Sequence, residues 1–189
     1  GQAIQPFGAP NRSSALESPL FGVSRYLPLL RVAERVTRGA ETPYEAVLAL
    51  ESWFRTRGGF RYDERPVRRT ELPPLVEFVT VSKAGYCQHY AGAMAVMLRL
   101  LGVPARVAVG FTSGRLVGGV WHVTDHDAHA WVEVWFPGVG WVAFDPTPGR
   151  GTLSGVYSFA SENAQAVAAL GRGDLAAAEE SGGRGVTTR

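Results

Sequence analysis

The run His129-Ala130-Trp131-Val132-Glu133-Val134-Trp135-Phe136, the break Pro137-Gly138-Val139-Gly140 and the run Trp141-Val142-Ala143-Phe144-Asp145 decide the fold class. Both runs alternate with a period of two, as half-buried strands do, and a short link of Pro and Gly joins them. Ala130, Val132, Val134 and Phe136 share one face, and Val142 and Phe144 are the aliphatic members of the next strand. If these line one core, even positions must pair with even and odd with odd, because a slip of one residue reverses every side chain. Trp135 then pairs near Trp141, and Trp131 falls near Asp145. His129 is one diagonal step away, about 7–8 Å between backbones, a gap that a His and an Asp side chain bridge. The register thus selects Asp145 as a partner for His129. A plain turn role for Asp145, before Pro146, stays open beside it.

Working outward, Ala105–Phe111 and Val120–Thr124 read as further strands, joined by a Gly-rich connection from Thr112 to Gly119. Upstream the period becomes helical. A helix is expected from about Gly85 to Leu101, with Gly102 as its stop and Pro104 just beyond. Its Ala91, Ala95, Leu98 and Leu101 suit a core, which makes it the central buried helix. Before it, Thr42 is an N-cap, Pro43 fits the first helical position and Glu45 completes a capping box; Gly58 and Gly59 stop that helix. Ser24–Arg38 reads as a first helix with Pro28 in its first turn. Arg65–Ser82, with Pro66, Pro73 and Pro74, reads as a long loop bordering a site. Helices first and an antiparallel sheet later make the class α+β. Residues 1–23 read as a lead-in, 24–149 as the core domain, and 150–189 as a tail or linker, partly helical at most.

Composition narrows the functions. The net charge of the 189-residue chain is only +2, which argues against nucleic acid as the main partner. Arg55, Arg57, Arg61, Arg65, Arg68 and Arg69 cluster, and read as a solvated helix end and loop in preference to a site for acidic ligands. A single Cys rules out an internal disulfide and a Cys-rich zinc site. Asp125, His126, Asp127 and His129 have the look of a metal cluster, but no metal and no cofactor is expected.

That Cys, Cys87, stands at the expected helix start in Lys83-Ala84-Gly85-Tyr86-Cys87-Gln88. Unpaired N–H groups and the helix dipole favour an anion there, so the thiol pKa falls and the reactive thiolate is favoured. The same N–H groups suit the oxyanion of a tetrahedral intermediate. Gly85 fits a backbone that turns sharply or lies close to a substrate. An inert buried Cys is the competing reading. Of the four histidines, His89 follows Cys87 by two residues and points to another helix face, while His122 and His126 flank a turn. His129 is left as the base. In such a set the His takes the thiol proton and the Asp holds the imidazole. Trp121, Trp131, Trp135 and Trp141 either wall a groove or fill the core.

Four segments in order carry a resemblance: Gly85-Tyr86-Cys87-Gln88-His89-Tyr90-Ala91, Leu101-Gly102-Val103-Pro104-Ala105-Arg106, His129-Ala130-Trp131-Val132-Glu133-Val134 and Trp141-Val142-Ala143-Phe144-Asp145-Pro146-Thr147. From Thr42 to Pro148 the chain resembles the transglutaminase-like superfamily, most of all the extracytoplasmic domain of bacterial multi-pass membrane proteins. The resemblance implies a papain-like fold, with Cys87 as nucleophile, His129 as base and Asp145 as its partner. It implies acyl transfer through a Cys thioester from a Gln carboxamide or peptide amide in a protein or peptide substrate to an amine acceptor. A cysteine protease or amidase using water, and a non-catalytic binding or assembly domain, are the alternatives. It also implies a place outside the bacterial cell membrane and a covalent link to membrane-spanning segments, with this chain as an excised piece. The side-chain oxyanion donor has no candidate, and the oligomeric state is open.

Overall fold

A computed structural model describes residues 25–149. The segments expected as lead-in and tail, and Ser24, therefore lie outside the described residues. Helix α1 is Leu27–Val36, shorter than the expected Ser24–Arg38, with Pro28 in its first turn. Helix α2 is Pro43–Ser52, and the Thr42 hydroxyl accepts the Glu45 N–H at 3.2 Å. The Glu45 carboxylate reaches the Glu41 N–H at 2.7 Å, one residue before the cap, so the box is displaced by one. A π-helical turn, Trp53–Arg57, continues α2 and closes with Gly58 N–H on Trp53 C=O.

The expected loop Arg65–Ser82 is corrected in its second half. Pro74–Glu77 forms helix α3 and Phe78–Ser82 a π-helical turn. Pro74 opens this helix, where a missing N–H costs nothing, so the Pro pair marks a start and not an interruption. Val76, Phe78 and Val79 are buried in the core. The buried Glu77 accepts the Arg69 N–H at 2.5 Å and faces Arg68, which folds the preceding loop onto the helix.

Two short strands, β1 (Arg61–Tyr62) and β2 (Ala84–Gly85), pair in parallel and lead into helix α4, Cys87–Leu100. Tyr90, Ala91, Ala93, Met94, Met97 and Leu98 of α4 are fully buried, which makes it the central helix. Phe54, Phe60, Phe78 and Tyr90 pack ring to ring, and the Tyr90 hydroxyl donates to Arg61 C=O at 2.7 Å. Aromatic contacts of this kind, tilted for Phe60 on Phe54 and Phe78 and edge-to-face for Tyr90 on Phe78, add to simple area burial. They anchor α4 one turn beyond Cys87.

The main sheet has the order β3-β6-β7, with β3 Ala105–Phe111, β6 Ala128–Phe136 and β7 Gly140–Phe144, all antiparallel. The register is the expected one: Trp135 pairs with Trp141, Val134 with Val142 and Val132 with Phe144. Ala130, Val132, Val134, Phe136, Val142 and Phe144 are all buried. The Gly-rich connection is corrected too. Its Arg115–Val117 is a strand, β4, paired with β5 (Val120–His122) through Gly118 and Gly119. Both glycines have positive φ, +58° and +81°, as a two-residue hairpin turn requires.

Candidate active site

Strand periodicity sends alternate peptide groups of β6 to opposite neighbours. Thr112 N–H bonds Asp127 C=O and Trp135 N–H bonds Pro104 C=O, so the odd residues of β6 face β3 and the even residues face β7. β7 ends at Phe144, opposite Val132. Continued by two residues, the register would set Pro146 against Ala130, and a proline has no N–H for a ladder. A notch opens there, and the peptide of Ala130 faces it.

The start of α4 points into this notch. Cys87 is nearly buried, and its sulfur is hydrogen-bonded by the side chain of His129 and by the N–H groups of Ala130 and Gln88. Tyr86, the N-cap residue, supplies no side-chain cap, and the first turn holds no acidic residue, so nothing competes with the thiol for the positive helix end. Burial raises the Cys87 pKa, but the hydrogen bonds of His129, Ala130 and Gln88 and the charge of His129 outweigh it and leave the thiol below its ordinary value.

His129 and Asp145 are both buried, and His129 Nε2 lies 2.8 Å from Asp145 Oδ2. With Nε2 so engaged, Nδ1 is the nitrogen left for the thiol. Burial lowers the His129 pKa, but hydrogen bonds to Asp145 and Cys87 and the charges of both carry it up to about 9. A depressed thiol and an elevated imidazole both favour a thiolate–imidazolium pair over the neutral one. The other Asp145 oxygen, Oδ1, accepts the Thr147 N–H at 2.9 Å, so the turn role of Asp145 and its His129 contact coexist.

Two residues at this site escaped the sequence reading. Glu51 Oε1 accepts the Asp145 N–H at 2.9 Å, and Arg55 Nη1 donates to the Asp145 C=O at 2.8 Å. Burial raises the Glu51 pKa, with the Asp145 N–H and Arg55 pulling the other way. Arg55 is thereby removed from the set of solvated arginines. Its only sequence signal is the four-residue spacing from Glu51, which places both on one helix face.

Other expectations are revised. Gly85 does allow a close approach, but to His89: a Cβ there would stand 2.8 Å from the His89 ring. His89 itself packs against Tyr86 and Phe78, away from the thiol. Asp127, of the apparent metal cluster, turns its carboxylate onto the Thr124 N–H at 2.7 Å and the Thr124 hydroxyl. Among the described residues, no group of three or more His, Cys, Asp or Glu side chains is arranged to hold a metal ion. Trp131, Trp135 and Trp141 lie on the outer sheet face and Trp121 on the exposed hairpin, so they do not fill the core. Trp135 packs on Trp141, and the Arg106 guanidinium stacks on Trp141 at 4.0 Å.

A family model described as the transglutaminase-like superfamily matches residues 30–146. The chain belongs to this superfamily. It is 43% identical over 95 residues to a protein-glutamine gamma-glutamyltransferase of Pseudomonas aeruginosa, a match covering 46% of this chain and 14% of that protein. It is 35% identical over 126 residues to the uncharacterized protein YebA of Bacillus subtilis, covering 62% of this chain and 17% of the other. Among solved structures, the periplasmic domain of TgpA from Pseudomonas aeruginosa superposes with a TM-score of 0.56 at 38% identity, over 62% of this chain and 41% of that one. The chain thus spans less than a fifth of both curated relatives and less than half of the solved domain. Among the described residues, no helix is long and apolar enough to cross a membrane.

Proposed function

We propose that this domain is a thiol acyltransferase of the transglutaminase type, with Cys87 as nucleophile, His129 as general base and acid, and Asp145 as the group that orients His129. The observation that carries the proposal is the buried relay in which Asp145 holds His129 Nε2 at 2.8 Å while His129 holds the Cys87 thiol. In this reading the Cys87 thiolate attacks the carboxamide carbon of a Gln side chain. The resulting oxyanion develops at the positive end of α4, whose dipole favours it. The His129 imidazolium gives its proton to the departing nitrogen as the C–N bond breaks, releasing ammonia and leaving a thioester on Cys87. An amine then attacks the thioester, neutral His129 takes the amine proton, and the thiolate departs with an isopeptide product.

Peptide amides are reachable by the same steps, and water as acceptor gives hydrolysis. The amine is preferred as acceptor because of the similarity to a relative named as a glutamyltransferase. The similarity to a periplasmic domain supports an extracytoplasmic site of action, with the domain tethered to membrane-spanning segments of a longer protein and acting on protein or peptide substrates.

The test is incubation of the protein with a Gln peptide and a labelled primary amine, followed by mass spectrometry of peptide and of Cys87. Incorporated label and a thioester adduct on Cys87 are expected, and both vanish in Cys87→Ala. Ammonia release without label assigns the domain as a hydrolase. Turnover retained by Cys87→Ala overturns the proposal.

A further inference from the structure

Asp145 must present one oxygen to a buried imidazole, yet it stands one residue past the end of β7, where no ladder bond to β6 holds it. Its peptide faces the outer edge of the sheet, since the even residues of β7 face β6 and the odd ones face away. Both polar groups of that peptide are taken by one helix. The Glu51 carboxylate accepts its N–H at 2.9 Å, and the Arg55 guanidinium donates to its C=O at 2.8 Å. One acceptor and one donor, side by side, are what a neighbouring strand would have offered. Each bond has a charged partner, which makes it shorter and stronger than its neutral counterpart. Arg55 lies in the widened turn that follows Glu51, so helix and π turn together set the spacing of the two groups.

We infer that Glu51 and Arg55 are positioning residues, a side-chain substitute for a missing strand that holds Asp145 in register with His129. This rests on the proposed role of the Cys87–His129–Asp145 relay. Neither side chain needs to meet substrate. Their effect passes through the Asp145 peptide to its carboxylate, then to His129 and to the Cys87 thiol. A displacement of about 1 Å in such a chain is enough to cost about 100-fold in rate.

The experiment uses the full chain as parent, Glu51→Leu, Glu51→Asp and Glu51→Gln. Three quantities are read: thermal melting by circular dichroism, the pH midpoint of Cys87 alkylation by iodoacetamide, and kcat and KM for ammonia release from a Gln peptide. In Glu51→Leu the alkylation midpoint is expected to move up toward the ordinary ~8.5 of a free thiol. Its kcat is expected to fall about 10- to 100-fold with KM within about twofold. Glu51→Asp keeps the charge but shortens the reach by one methylene, and shifts the midpoint in the same direction. Glu51→Gln keeps an oxygen acceptor for the same N–H and restores the parent midpoint. Folded Glu51→Leu or Glu51→Asp with parental midpoint and kcat overturns the inference, as does a Glu51→Gln as impaired as Glu51→Leu. Should Glu51→Leu not fold, the Asp and Gln variants decide alone. A parent with a low alkylation midpoint but no turnover defeats the acyl-transfer reading, and the midpoints still decide the positioning role.

Discussion

Along the outer edge of β7, the peptide of Asp145 is closed at both ends by charged side chains of the preceding helix and its π turn. Along β3, at the opposite side of the same sheet, Val107, Val109 and Phe111 stand open to solvent, although they share a sheet face with the buried Val132 and Ala130. The cross-strand pair Val107 and Val132 states the contrast in one contact: two identical residues, one 42% exposed and the other fully buried. Burial by α4 and the other helices holds the middle of the sheet. Directed hydrogen bonds hold the β7 side, where an oxygen has to meet a nitrogen at 2.8 Å. The hydrophobic effect is non-directional and keeps a strand in place; it does not aim a carboxylate.

Four experiments test this contrast. The largest effect is expected at the β7 side, where Asp145→Asn preserves shape but removes the charge that supports the imidazolium. By analogy with other nucleophile–His–Asp sets, kcat should fall by about 10³- to 10⁴-fold. A loss below about tenfold would mean that Asp145 serves only its turn with Thr147.

The pH profile comes next. His129 is carried up to about 9 and the Cys87 thiol is held below its ordinary value, so both shifts favour the ion pair. Alkylation of Cys87 should therefore begin at lower pH than for a free thiol and decline as acid protonates the thiolate. Turnover should decline as pH rises through about 9, where the imidazolium proton needed by the leaving group is lost. A single alkylation midpoint near 8.5 would show a thiol untouched by the relay.

The remaining two effects concern stability. Val132→Ala removes two buried methyl groups and leaves a cavity, at a cost of about 2 kcal/mol by chemical denaturation. Val107→Ala, on the same face and opposite it, should stay within about 0.5 kcal/mol, the usual range for an exposed site. Equal losses at the two positions would show that the β3 side is covered in solution.

Much of this molecule was legible in its sequence because the relevant signals are periodic or local. The alternation in His129–Phe136 and Trp141–Phe144 dictated the hairpin register, and with it the neighbourhood of His129 and Asp145. Thr42, Pro43 and Gly102 marked helix ends through the chemistry of unpaired peptide groups. Pro73-Pro74 misled, because a Pro that opens a helix and a Pro that breaks one look alike until the residues after it are seen to be buried. The β4–β5 hairpin was hidden in a Gly-rich stretch for a related reason: Gly118-Gly119 reads equally as a loop or as a turn with positive φ.

The α+β class, the even-with-even register, and Cys87, His129 and Asp145 as the residues of interest can all be read from the chain before it folds. Each follows from spacing along one chain segment or from the polarity of a helix end. How they are held is fixed only on folding. The notch beyond Phe144 turns the Ala130 N–H toward the Cys87 sulfur, and the clasp of Glu51 and Arg55 closes on Asp145. Glu51 and Asp145 are 94 positions apart and meet through a side chain and a peptide group. Such a contact repeats with no period and prefers no residue type strongly. It exists only once α2 has packed beside the edge of β7.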